Sequence, residues 1–184
     1  MRERPLWTEI REVLVSETGI DIRFAVPADR DVLVTFNRLL AEETEGKSLD
    51  LSLLQPGVAA VLSGTIDGSG QANPLDRQQP TPGRYLVACH RDRVVGSLMH
   101  TWEWSDWRNG VVWWLQSVYV EPDFRRRGIF RAMYEHLDAL ARADETVVGL
   151  RLYVERDNRI AQQTYATMGM SRTAYVVMEE MFAE

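Results

Sequence analysis

Cysteine occurs once in the 184 residues, as Cys89. A single thiol excludes a disulfide framework and a clustered thiolate metal site, so no metal is expected and Cys89 reads as a core residue. No apolar run approaches the roughly 20 residues that cross a bilayer. The start, MRERPLWTEIREVLV, holds acidic residues and lacks a signal-peptide apolar core. These two absences exclude a membrane partner and make a cytoplasmic location the expectation. Positive charge is in deficit, with 21 Lys and Arg against 27 Asp and Glu, a net charge of −6. That balance argues against a nucleic-acid binder and weakly favours a cationic amine as ligand. Internal repeats and low-complexity segments are also missing. What remains, 45% hydrophobic and 26% charged residues, is ordinary for a globular chain that buries one core. One domain over 1–184 is expected, with an extra short helix within 1–19 built on Trp7, Ile10, Val13 and Leu14.

The informative stretch is Gln116 to Tyr134, QSVYVEPDFRRRGIFRAMY. Val118, Tyr119 and Val120 are β-formers. Pro122 stops the strand and holds Glu121 extended. Arg125, Arg126 and Arg127 lead into Gly128, after which Ile129, Met133 and Leu137 form an apolar helical stripe beside Phe130 and Tyr134. The first turn of a helix carries backbone N–H groups without internal partners and partial positive charge. Glycine lets an anion approach the backbone without meeting a Cβ, and arginines add charge-assisted hydrogen bonds. The stretch therefore predicts capture of a phosphate or pyrophosphate. The structural alternative is a solvated basic turn.

These residues resemble the GNAT superfamily of N-acetyltransferases, whose signature is Gln or Arg, two residues, Gly, one residue, then Gly or Ala, after a strand ending in V-x-P. Arg125 and Gly128 take the first two places, and Phe130 departs from the third. The resemblance implies that acetyl-CoA is the co-substrate. Its pyrophosphate would meet the backbone from Arg126 through Gly128, Ile129 and Phe130 to Arg131, and its pantetheine arm would pair with Val118, Tyr119 and Val120.

The rest of the chain falls in the same order of elements. Ile20 to Ala25 alternates as a strand. Asp29 reads as the N-cap of a helix carrying Val32, Leu33, Phe36, Leu39 and Leu40. Glu42, Glu43 and Glu45 crowd the end of that helix, where the macrodipole disfavours negative charge; they read either as a functional cluster or as a solvated turn. Leu51 to Leu62 is a second helix, bent or divided by Pro56, and Gly64 to Gly83 is a loop. Strands Arg84 to Cys89 and Val94 to Trp104 form a hairpin. Asn109-Gly110 is a tight-turn pair leading to the Val111 strand. Trp102, Trp104, Trp107, Trp113 and Trp114 gather around that turn. They fit an aromatic wall for an acceptor, a homodimer face, or cross-strand core packing. Val147 to Val154 is β-rich, Arg159 to Met168 is helical with Gly169 closing it, and Thr173 to Phe182 is a last strand.

A second match lies in LRLYVERDNRIAQQTYATMGM, where Asn158, Ala161, Tyr165 and Gly169 fill the family's places after a strand. Asn158 and Tyr165 stand about two helical turns apart; singly, they read as a helix cap and a half-buried aromatic. The implied fold is α/β (α+β): a mixed, mostly antiparallel sheet of six or seven strands, helices on both faces, and a V-shaped splay between the Val118 and Val147 strands. The implied reaction is direct attack of a neutral amine on the thioester, and the aromatic, acidic surroundings favour an amine of a small molecule. The Val118 amide would stabilise the oxyanion, and Tyr165 would protonate the leaving thiolate. Histone-type relatives carry a Glu eleven positions before the first signature residue, where this chain has Trp114. Glu103 is the leading candidate base, with Asp106, Glu42 and Glu45 behind it. Alternatives are a protein or peptide acetyltransferase and a non-catalytic acyl-CoA sensor.

Overall fold

A computed structural model describes residues 19–64 and 82–182. The expected N-terminal helix and nearly all of the expected 64–83 loop lie outside the described residues. The chain divides into two compact units, Met1–Leu152 and Tyr153–Glu184, which are taken in turn.

In the first unit one sheet runs in the order β1 (Ile20–Phe24), β2 (Arg84–His90), β3 (Arg93–Ser105), β4 (Gly110–Val120) and β5 (Val147–Leu152). All neighbours are antiparallel except β4 and β5, which are parallel. The helices are α1 (Arg30–Glu45), α2 (Leu51–Ser63) and α3 (Ile129–Ala143). The mixed, mostly antiparallel sheet is as expected, with five strands in place of six or seven.

Alternation along the strands assigns the two faces. Tyr85, Val87, Cys89, Val94 and Tyr119 point one way and join Leu33, Val34 and Phe36 of α1 and Val58 of α2 in one buried cluster. Phe36 tilts against Tyr119 at 4.9 Å between ring centroids. Leu86, Ala88 and Leu98 point the other way and are fully buried, as are Met133 and Leu137 of α3. The Met133 methyl lies 3.4 Å from where a Cβ on Gly96 of β3 would sit, which puts α3 on that second face. Cys89 is buried and reduced, and burial raises its thiol pKa.

Two local expectations are corrected. Asp29 precedes α1 but caps it with no side-chain hydrogen bond. Its carboxylate accepts from Arg23 at 2.7 and 3.0 Å and from the Val26 amide at 2.8 Å, so it ties β1 to the turn before α1. Arg23 holds the Asp29 pKa below the usual carboxylate value. Pro56 neither divides nor ends α2, which runs unbroken from Leu51 to Ser63 after Asp50 accepts from the Ser52 amide. The lost hydrogen bond of an internal proline is offset by packing of Val58, Leu54, Val61 and Leu62 on the core.

The hairpin turns show two reasons for small or polar residues. Arg91 and Asp92 both have positive φ, 50° and 64°, as a two-residue turn of right-handed twist requires. Gly110 is needed for space: an added Cβ would meet a Val148 methyl at 2.3 Å and the Thr146 carbonyl oxygen at 2.9 Å.

The second unit holds α4 (Arg159–Thr167). Asn158 opens it by accepting from the Ala161 amide at 3.0 Å, and Gly169 follows at φ 88°. Thr173–Phe182, expected as a strand, has no strand pairing. Strand propensity measures fit to a pleated, half-buried surface, and within its own unit the segment has no strand beside it among the described residues.

His100 generates an acid-stability prediction. It is 1% exposed, neither ring nitrogen has a hydrogen-bond partner, and Trp102 and Trp113 lie 4.8 and 4.5 Å from its ring. Burial, then the Arg84 charge, lowers its pKa to about 3. The fold thus prefers neutral imidazole. The stability this confers is whole above the unfolded value of about 6.5 and is lost as pH falls toward about 3. His100→Phe should make the fall in unfolding free energy between neutral and acid pH, read from urea titrations, shallower by about 1 kcal/mol or more. An unchanged pH slope would remove His100 as a cause.

Candidate functional site

The middle of β4 departs from the ladder. Tyr119 faces Ser97 and Gln116 faces Met99, so Leu98 alone opposes Ser117 and Val118. Ser117 sits in the left-handed region at φ 47°. This is a β-bulge, which leaves one extra residue unpaired and turns the strand. On the other side of β4, parallel pairing ends at Leu115 opposite Leu152, whereas β4 continues to Val120. The parting expected between the Val118 and Val147 strands begins there. Residues 116–120 have no strand partner on that side among the described residues.

The strand then feeds a shaped loop. Pro122–Phe124 forms one 3-10 turn. Arg126 is left-handed at φ 62° and Gly128 at φ 78°, and α3 starts at Ile129 with no side-chain cap. The backbone amides of Arg126, Gly128, Ile129 and Arg131 have no backbone acceptor among the described residues; the first bond of the helix runs from Ala132 N to Gly128 O at 2.9 Å. Alternating left-handed residues at a helix N-terminus form a concave anion site. Nothing lies within 4 Å of where a Gly128 Cβ would stand, so the approach is open. These features fit a diphosphate.

The three arginines do different work. Arg125 turns inward: its Nε donates to the Val120 carbonyl at 2.8 Å, its Nη2 donates to Glu43 at 2.6 Å, and its guanidinium lies 5.4 Å from the Tyr119 ring centre. Arg127 lies over Phe124 at 5.3 Å, a ring also flanked by His90 and Arg93; Arg93 in turn pairs with Glu121. Arg126, Arg127 and Arg131 are exposed and make no ion pair among the described residues. They are the charges available to an anion.

Glu43 gives the acidic end of α1 its explanation. It pairs with Arg125 and accepts from the Tyr119 hydroxyl at 3.2 Å. Burial and the Glu43 charge raise the Tyr119 pKa. The acidic character was legible in sequence; the pairing was not, because Glu43 and Arg125 are 82 positions apart. The Ser117 bulge was likewise missed, since a lone serine in a strand carries no signal.

Glu103 stands on β3 opposite Val112. Its carboxylate accepts from the Trp114 indole N–H and from Arg151 Nη1 at 2.8 and 2.9 Å. Arg151, on β5, lies 5.2 Å from the Trp114 ring centre. The carboxylate therefore reaches the Trp114 side chain from the neighbouring strand. Asp106 instead binds the Trp107 amide at the hairpin tip, and Glu45 pairs with Lys47. The tryptophans split: Trp102 and Trp113 pack with His100, 6.2 Å apart, whereas Trp104 and Trp107 are exposed. In the second unit, burial raises the Tyr165 pKa, so its phenol stays protonated at neutral pH.

The profile of the Acetyltransferase (GNAT) family matches residues 63–170, more than half of the chain. Among solved structures, a possible acetyltransferase of Clostridium difficile is 41% identical, with 90% of this chain and 99% of that chain covered and a TM-score of 0.75. A predicted acetyltransferase of Clostridium acetobutylicum, solved with acetyl-CoA, shares the fold at 16% identity, TM-score 0.67, covering 88% of this chain and 96% of its own. A ribosomal-protein-alanine N-acetyltransferase of Brucella melitensis shares it at 14% identity, TM-score 0.65, with 89% and 99% covered. No curated protein sequence matches.

The inward turn of Arg125 predicts a separation of shape from charge. Arg125→Lys keeps the charge but loses the Nε bond to Val120, so it should weaken coenzyme A binding about as much as Arg125→Ala, by ~10-fold. Isothermal titration of both variants checks this, and rescue by lysine would assign Arg125 to the anion instead.

Proposed function

This chain belongs to the Acetyltransferase (GNAT) family, and from that premise we propose that it moves the acetyl group of acetyl-CoA to a primary amine of a small molecule. One observation carries this reading: an uncapped helix N-terminus led by left-handed Gly128 directly follows a bulged strand whose outer edge is unpaired. The amides of Arg126, Gly128, Ile129 and Arg131, with the Arg126, Arg127 and Arg131 side chains, hold the diphosphate. Val118, Tyr119 and Val120 align the pantetheine arm, in part only, since Arg125 already occupies the Val120 carbonyl. Acetyl-CoA, when bound, supplies a thioester carbonyl open to attack.

The residues then act on protons and charge. Glu103, the proposed base, takes the proton of the incoming ammonium, directly or through a water, so that neutral amine attacks. Arg151 Nη1 donates to both Glu103 oxygens and so fixes where the carboxylate stands. The Val118 amide faces the developing oxyanion. Tyr165 gives its phenolic proton to the departing sulfur, and its raised pKa keeps that proton in place through neutral pH. Asn158 holds the start of α4 and thereby the register of Tyr165. The small-molecule acceptor is favoured by the net charge of −6 and by Trp114 standing where histone-type relatives carry a base.

A second reading is a non-catalytic acyl-CoA sensor, favoured by Trp114 and by the engagement of both Glu103 oxygens. Free-thiol release across a panel of small amines separates the two: steady turnover on any acceptor rejects the sensor.

Acetyl-CoA at about 100 times its Kd should stabilise the protein by ~2.7 kcal/mol. Gly128→Val should abolish the thermal shift while circular dichroism stays native. A shift that survives this change would move the diphosphate elsewhere. Tyr165→Phe should lower kcat by about 100-fold or more with little change in acetyl-CoA affinity, and unchanged kcat would remove Tyr165 as the acid. Glu103→Gln should depress kcat/KM most at low pH, where unassisted amine is protonated.

A further inference from the structure

The sheet face that carries Glu103 also carries hydrogen-bond donors that the first unit leaves unused. Thr101, Trp114 and Arg151 form one row across β3, β4 and β5, and Glu103, Val112 and Gly149 form the next. Residues in register lie on the same side of a sheet, as do residues two apart along a strand. Both rows therefore share one face. On it, Arg151 uses only part of its guanidinium. Nη1 donates to both Glu103 oxygens at 2.8 and 2.9 Å, and the group rests 5.2 Å from the Trp114 ring centre. Nε and Nη2 donate to no described residue of that unit. Those two nitrogens are the guanidinium edge that takes a carboxylate in two parallel hydrogen bonds.

Room for a ligand lies next to that edge. Gly149 neighbours Arg151 on the same face, two residues back along β5. No described residue of the unit stands within 4 Å of where a Gly149 Cβ would be. Its φ is not in the left-handed region, so the backbone does not require a glycine there. A glycine inside a strand weakens it and often marks the close approach of a ligand. A carboxylate, a guanidinium edge and space for a short carbon chain thus stand side by side.

We propose that the acceptor is a small amino acid. Its amine meets Glu103, its carboxylate is held by the Nε–Nη2 edge of Arg151, and its carbon chain lies over Gly149. This rests on the acetyl transfer proposed above and names the class of its acceptor. In the transfer the amide N–C bond forms and the thioester C–S bond breaks. One ammonium proton goes to Glu103 and a second to the departing sulfur. Once protonated, Glu103 no longer balances the Arg151 charge, and the acceptor carboxylate takes over that task. A plain alkylamine brings no such counter-charge. A zwitterion is also not repelled by a protein of net charge −6.

The test measures acetyl transfer by the full chain to glycine, β-alanine and γ-aminobutyrate, each against its carboxamide, with rates referred to the unprotonated amine. The acids should be preferred by ~10-fold or more in kcat/KM. Arg151→Gln should abolish that preference, and Arg151→Lys should restore it only in part, since an ammonium lacks the fork. Gly149→Val adds bulk that suits a strand; it should raise KM for the acids and leave the acetyl-CoA thermal shift unchanged. No thermal shift with acetyl-CoA would overturn the transfer reading itself. A shift accompanied by equal rates on acids and carboxamides, or by turnover of neither, overturns the amino-acid assignment. So does an unchanged KM in Gly149→Val, or a preference that survives Arg151→Gln.

Discussion

A backbone N–H or C=O removed from water must find a partner; ladder bonds supply it through most of the described sheet, whereas the end of β4 and the loop after it leave groups to water. The β4 ladder loses a peptide at Ser117 and Val118, loses its β5 partner after Leu115, and a few residues later the first turn of α3 begins uncapped. Each gap alone would be a minor defect. Set on consecutive segments, they form a track of unpaired donors and acceptors that a long, polar, anion-ended ligand can complete. The unpaired groups remain wet without ligand, so leaving them costs little until something dry displaces the water.

Keeping that track in shape is the work of Arg125. The loop holds two left-handed residues, Arg126 and Gly128, and the first costs about 1 kcal/mol or more for a residue with a Cβ. Something must hold it there. Arg125 bonds the end of β4, reaches Glu43 on α1 and covers the Tyr119 ring. The acidic end of α1 thereby avoids an unfavourable dipole by pairing its charge, and Phe36 of the same helix packs on Tyr119. The hydrophobic core and the anion loop are joined through one arginine.

What the sequence made legible was local. Val118 to Gly128 could be read because a strand, a proline stop, arginines and a glycine are each a near-neighbour signal, and because two ordered motifs agree. Glu43 with Arg125, and Glu103 with Trp114 and Arg151, could not be read, since their partners lie on other strands and helices and charge alone names no partner. The proline in α2 misled for a related reason: its local cost was visible, the burial that outweighs it was not. Thr173 to Phe182 shows the limit most plainly. Its residues state strand propensity, but a strand exists only where an edge accepts it, and no local pattern says which edge.

Magnitudes decide how much the absent histone-type glutamate matters. A positioned base contributes about 10²- to 10⁴-fold, roughly 3–6 kcal/mol. Holding two reactants at attack distance contributes about 7–11 kcal/mol, and one oxyanion donor about 3–4 kcal/mol. For the transfer proposed, the larger share comes from the unpaired edge, the bulge and the uncapped helix, which are backbone features that no substitution at position 114 removes. Trp114 takes away the strongest base position, while Glu103 brings a carboxylate to the same indole from the neighbouring strand. Arg151 pairs with that carboxylate and lies against the Trp114 ring, so the base proposed here is held between a guanidinium and an indole. Acceptor preference on this scaffold would then follow from the Arg151–Glu103 pair and the half-exposed Trp114, and the coenzyme's place from the chain between Val118 and Arg131.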